Sequence, residues 1–110
     1  MSKKGNVPQQ LLDEYNKTVP EKILCLEKLI MALRSEMTKT NLEALQFFVH
    51  KMAGSAGLYG YGEVTVICKI WDIKLLQKIK GFSKEDSVNL SELDGLLTQV
   101  KDGFHLSKGS

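Results

Sequence analysis

Proline is nearly missing from this chain. Pro8 and Pro20 are its two prolines, both near the front, so from Glu21 onward only glycine interrupts a helix. Cysteine is equally scarce. Cys25 and Cys68 are too few for a disulfide framework, and no Cys-x-x-Cys pair or Cys/His cluster suggests zinc. A reducing, cytoplasmic setting is the simplest expectation. No apolar run approaches the ~18–20 residues that cross a bilayer. The opening Met1-Ser2-Lys3-Lys4-Gly5 leads into polar sequence, so no signal peptide and no membrane partner are expected. One-signed charge is also lacking: 15 Lys and Arg stand against 13 Asp and Glu, for a net charge of +2. That balance is too mild for a nucleic-acid binder. Turn pairs flanked by alternating apolar residues are absent, since Asp102-Gly103 follows a helical pattern. There is no internal repeat and no low-complexity tract.

What is there is amphipathic helix. With 110 residues, 43% hydrophobic and 25% charged, the chain can bury one core of its own. Leu11, Leu12 and Tyr15, behind Pro8, suggest a short helix over 8–17. Ile23, Leu24, Leu26, Leu29, Ile30 and Leu33 recur at three and four, predicting a helix over 20–36. Thr18 with Glu21 forms a capping-box pattern in front of it. A third helix is expected from 41 to about 59, starting at Thr40 with Glu43 three residues on. Its stripe is Leu42, Leu45, Val49, Met52 and Ala56, with Phe48 at the edge, and Tyr59-Gly60-Tyr61-Gly62 ends it. Val64, Ile67, Cys68, Trp71, Leu75 and Ile79 predict a helix over 63–80 capped by Gly81, although Val64-Thr65-Val66-Ile67 has strand propensity. Val88, Leu90, Leu93, Leu97, Val100 and Phe104 predict the last, from about 87 to 104, weakened modestly by Gly95. The stripes must bury against one another. The expected fold is therefore all-α, an antiparallel up-and-down four-helix bundle with a short leading N-terminal helix. It occupies 8–106, with flexible ends at 1–7 and 107–110. Cys25, Cys68, Met31, Met37 and Met52 are expected to pack in or beside the core. Trp71, Tyr59 and Tyr61 are expected to anchor it.

Two histidines are present. His105 follows the last apolar turn and reads as a surface residue. His50 falls about 100° from the centre of the third helix's stripe, on its flank. Gln46, Gly54 and Gly57 share that flank. Each interior glycine costs roughly 0.5–1 kcal/mol against alanine. Two on one face call for a reason, either close helix packing or room for a partner surface to approach His50. A neutral imidazole is a usable nucleophile without an adjacent base. The sequence carries no phosphate-binding glycine loop and no metal-ligand cluster. It thus offers a nucleophile without nucleotide machinery, and another protein would have to bring the phosphoryl group and its cation.

The run His50-Lys51-Met52-Ala53-Gly54-Ser55-Ala56-Gly57-Leu58-Tyr59-Gly60 resembles the signature of histidine-containing phosphotransfer (HPt) domains. In that family the histidine is followed four residues on by Gly, five on by Ser or another small residue, and ten on by Gly, as Gly54, Ser55 and Gly60 are here. The likeness extends more weakly to Cys68, Trp71 and Asp72, where the family often has small, Leu and Glu residues. The layout, with the histidine in the second long helix, is also similar.

The resemblance implies a phosphorelay intermediate. His50 would carry a phosphoryl group between aspartates of receiver domains, in response regulators or hybrid histidine kinases. No cofactor of its own is implied, because the receiver supplies Mg²⁺. Gly54 would give the receiver room and Ser55 would help position it. Many members carry a lysine three residues after the histidine; here that position is Ala53, and the lysine is Lys51, one residue on. Gln46, one turn before His50, is a candidate to hydrogen-bond the ring. The chain is expected to be a monomeric carrier, not an autonomous enzyme. Two rival readings are a helical module that docks receiver-like partners without phosphorylation, and an enzyme with His50 as general base and Ser55 as its partner. The spacing of His50 and Ser55 puts them about 140° apart on the helix, which disfavours the last.

Overall fold

The computed structural model describes residues 8–82 and 89–105. The expectations for 1–7, for the last helix's start at 87–88 and for the tail beyond 105 fall outside these residues. Four α-helices follow in order: α1 (Gln9–Ser35), α2 (Lys39–Ala56), α3 (Gly62–Lys80) and α4 (Leu90–Gly103). A single 3₁₀ turn, Gly57–Tyr59, joins α2 to α3. No strand occurs among the described residues, so the β-branched run at Val64 is helical, as its longer period requires. Each helix packs on the next and α4 closes against α1. This is the four-helix bundle expected from the stripes.

The leading helix is not separate. α1 runs straight through Pro20. The apolar stripe explains why, for Tyr15, Val19, Ile23, Leu26, Ile30 and Leu33 are all buried along one line. Ending the helix at Pro20 would break that line at Val19. Pro20 faces outward, where the loss of one backbone donor is cheapest. Thr18 therefore caps nothing. Its hydroxyl donates to the Tyr15 carbonyl one turn back, at 2.7 Å. In α2 the cap is Thr38, not Thr40: its hydroxyl accepts the Asn41 amide at 3.1 Å. α4 starts at Asn89, whose side chain accepts the Ser91 amide at 2.7 Å.

The α2 stripe is buried throughout, as are Val64, Cys68, Trp71 and Leu75 of α3 and Leu93, Leu96 and Val100 of α4. One end of the bundle is plugged by aromatics. Tyr15 stacks on Tyr59 with ring centroids 4.2 Å apart, and Tyr61 meets Phe104 edge-on at 4.8 Å. The reversal from α2 to α3 passes through Gly60 at φ 96°, a left-handed conformation that favours glycine. Two packing expectations fail. Cys25 is exposed while Cys68 is buried, and Met31 is 64% exposed. Both misplaced residues sit on α1, off its continuous stripe. Burial pushes the Cys68 thiol up to about 12, so it stays protonated and inert. No helix among the described residues is long and apolar enough to cross a membrane.

Leu75 is fully buried where α3 meets the core. Leu75→Ala is expected to cost about 2–5 kcal/mol by removing a core side chain and leaving a cavity. Urea unfolding followed by circular dichroism measures that loss.

Candidate functional site

His50 lies on α2 with its side chain 64% exposed. Its Nδ1 is 2.7 Å from Oδ2 of Asp72, one helix away on α3. The other carboxylate oxygen of Asp72 accepts a hydrogen bond from Gln46 Nε2, also at 2.7 Å. Gln46 thus serves the ring at one remove: it holds the carboxylate that holds the imidazole. Partial burial pushes the Asp72 carboxyl up, but the hydrogen bonds from Gln46 and His50 and the imidazole charge outweigh it, leaving it below the ordinary carboxylate range.

That state fixes the tautomer. An ionised carboxylate only accepts, so a neutral His50 must carry its proton on Nδ1 and donate it to Asp72. The lone pair then falls on Nε2, which has no protein partner among the described residues. The arrangement is a nucleophilic nitrogen facing solvent, with the ring held from behind between two helices.

The register that joins the two residues follows from the connection. His50 and Asp72 lie at equal distances in sequence on either side of Tyr61, in the tight reversal. Across an antiparallel pair, residues equidistant from the turn face each other. The expectation that grouped His50 with its own helix missed Asp72 as a partner, although this symmetry was available to find it. It also missed Phe47, 61% exposed one turn before His50.

The two flank glycines part company. A Cβ placed on Gly54 would meet nothing within 4 Å, so the α2 surface beside His50 is open there. At Gly57 a Cβ would come within 2.9 Å of Thr65 Oγ1. Gly57 therefore serves close packing of α3, not partner access. Thr65 locks the same seam by donating to the Ala53 carbonyl at 3.1 Å. Ala53 is buried in this seam, so its position belongs to the core and not to the surface around the imidazole. Ser55 turns towards α1, its hydroxyl 3.3 Å from that of Tyr15. It bonds neither His50 nor Asp72, so no Ser–His pair forms, in keeping with the wide angle between the two positions on the helix. The Lys51 ammonium lies over the Phe47 ring, 5.1 Å from its centroid, within one turn of His50 and unengaged with Asp72.

The structure thus brings together His50, Gln46 and Asp72, with Gly54, Phe47 and Lys51 on neighbouring turns of the same helix. Among the described residues no three His, Cys, Asp or Glu side chains gather as a metal site. Comparison with known proteins gives no family-model match and no significant match to a curated protein or a solved structure.

Proposed function

We propose that this chain is a phosphorelay carrier that accepts a phosphoryl group on His50 from a receiver-domain aspartyl phosphate and passes it to another receiver aspartate. The observation that carries the reading is the orientation of one exposed imidazole: Nδ1 bound to a carboxylate, Nε2 free, and an open glycine one turn away. The resemblance of the run from His50 to Gly60 to HPt domains supports it.

The chemistry balances with few parts. Nε2 of neutral His50 attacks phosphorus, an N–P bond forms, and the O–P bond to the donor aspartate breaks, returning a free carboxylate. The proton stays on Nδ1. The ring gains positive charge, and Asp72 lies in hydrogen-bond contact to offset it. In the reverse direction the acceptor carboxylate attacks and imidazole leaves neutral. A divalent cation on the receiver neutralises the phosphoryl oxygens, so this chain needs neither a nucleotide site nor a metal of its own. Such relays work in the cytoplasm, which is the compartment proposed here. Phe47, Lys51 and Gly54 form the surface a receiver meets.

A transfer profile against a panel of phosphorylated receiver domains tests the reading. Acid-labile, alkali-stable label on the chain from at least one receiver is the expected result, and no label from any receiver refutes it. Asp72 gives a finer prediction. Asp72→Asn is expected to slow transfer about tenfold, because it replaces a charge-assisted hydrogen bond by a neutral one at a partly exposed site. It is also expected to flatten the acid limb of stability. A carboxyl depressed in the folded state stabilises above its unfolded value of about 4 and loses that contribution as pH falls through the folded one. Urea midpoints of the two proteins across acid pH measure the difference.

A further inference from the structure

Outside the His50 region, the largest unexplained feature is the outward face of α3. Glu63, Val66, Ile70, Ile73, Gln77 and Lys80 recur at alternating steps of three and four, and every one is exposed. This is a heptad seam over the length of the helix. Its centre is apolar, with Val66 58%, Ile70 55% and Ile73 59% exposed, far more than packing within the bundle would leave. Its ends carry opposite charge, Glu63 in the first turn and Lys80 in the last. None of the six side chains makes a hydrogen bond or ion pair within the described residues.

We infer that this face pairs with the same face of a second copy, α3 against α3 in antiparallel fashion about a two-fold axis. Charge selects both occupant and direction. Antiparallel pairing sets Ile70 against Ile73 of the other copy in two central layers, Val66 against Gln77 outside them, and Glu63 against Lys80 at both ends. Parallel pairing sets Glu63 against Glu63 and Lys80 against Lys80. A self-complementary patch of this kind is what an isologous interface requires. Of the two lysines flanking the seam, Lys74 is committed to Glu92 at 3.8 Å and to the Trp71 ring at 4.5 Å, and Lys69 is exposed, set in the antiparallel register nearest the apolar Leu76 of the other copy. Asp72 falls about 160° round the helix from Ile70 and about 100° from Ile73, so the His50 face lies off the seam. The inference replaces the expected monomer and does not depend on the phosphotransfer reading.

Sedimentation velocity of the full chain over rising concentration, up to about 1 mM, tests it, since a single-helix seam is a small interface of modest affinity. A monomer–dimer equilibrium is expected. Ile70→Lys is expected to leave a monomer at every concentration with unchanged helical circular dichroism. Glu63→Lys and Lys80→Glu are each expected to weaken the dimer, by a few-fold to about tenfold, and to restore it when combined. A wild-type chain that stays monomeric throughout overturns the inference, as does a dimer that Ile70→Lys leaves intact. Single charge reversals without effect, or a double reversal that fails to restore pairing, overturn the antiparallel arrangement.

Discussion

His50→Gln is expected to abolish phosphoryl uptake from every receiver domain that labels the wild-type chain, while the fold survives. The chemistry leaves no substitute: glutamine has no ring nitrogen to form an N–P bond, and no other histidine lies near. His105 sits at the far end of α4 beside Tyr61. The structural cost is small because the side chain is mostly exposed, and surface changes ordinarily stay within about 0.5 kcal/mol. Only the bond to Asp72 is lost, and Gln46 still holds that carboxylate. Labelled transfer and thermal unfolding of the same preparation give both halves of the result. Binding to a receiver that persists in the variant, with no transfer in the wild-type chain either, would instead favour a docking module.

The second large effect separates two glycines that a sequence reading treats alike. Gly54→Leu is expected to raise stability by about 0.5–1 kcal/mol, since leucine is the better helix former and the added side chain meets open space. Transfer is expected to fall about 100-fold or more, because a bulky group beside His50 holds a partner's phosphoryl group off its in-line approach. Gly57→Leu is expected to do the reverse on stability. Its Cβ would press on Thr65 Oγ1 and break that hydroxyl's bond to the Ala53 carbonyl, an overpacking cost of about 1–3 kcal/mol. Chemical denaturation and receiver transfer on both variants check the pair. Normal transfer kinetics in Gly54→Leu would contradict docking at this surface.

Much of the fold was legible in the sequence because helix periodicity is a local signal. The stripe from Leu42 to Ala56 and the alternation around Cys68 and Leu75 each determine a buried face without reference to distant residues. Boundaries were less legible. Pro20 looked like a start because local propensity dominates a short window, whereas Val19 keeps the buried line of α1 continuous and tertiary packing prevails. At the site, His50 and Gly54 could be read from one helix face. Asp72 and the closeness of Gly57 to Thr65 belong to the pairing of α2 with α3, which a single wheel does not contain. The Tyr15 partner of Ser55 was hidden for the same reason, since it comes from α1.

The imidazole and its carboxylate belong to different helices, and that has a mechanical outcome. The ring's tautomer and aim depend on how α3 is seated lengthwise along α2. A slip of one turn, about 5.4 Å, would carry Asp72 out of reach and free the imidazole to rotate and change tautomer. The Thr65 hydrogen bond to the Ala53 carbonyl, made where Gly57 lets α3 come close, ties the two helices in this register. The aim of the imidazole thus depends on a joint two turns away, and loosening that joint would release His50 from Asp72 while the bundle still stood.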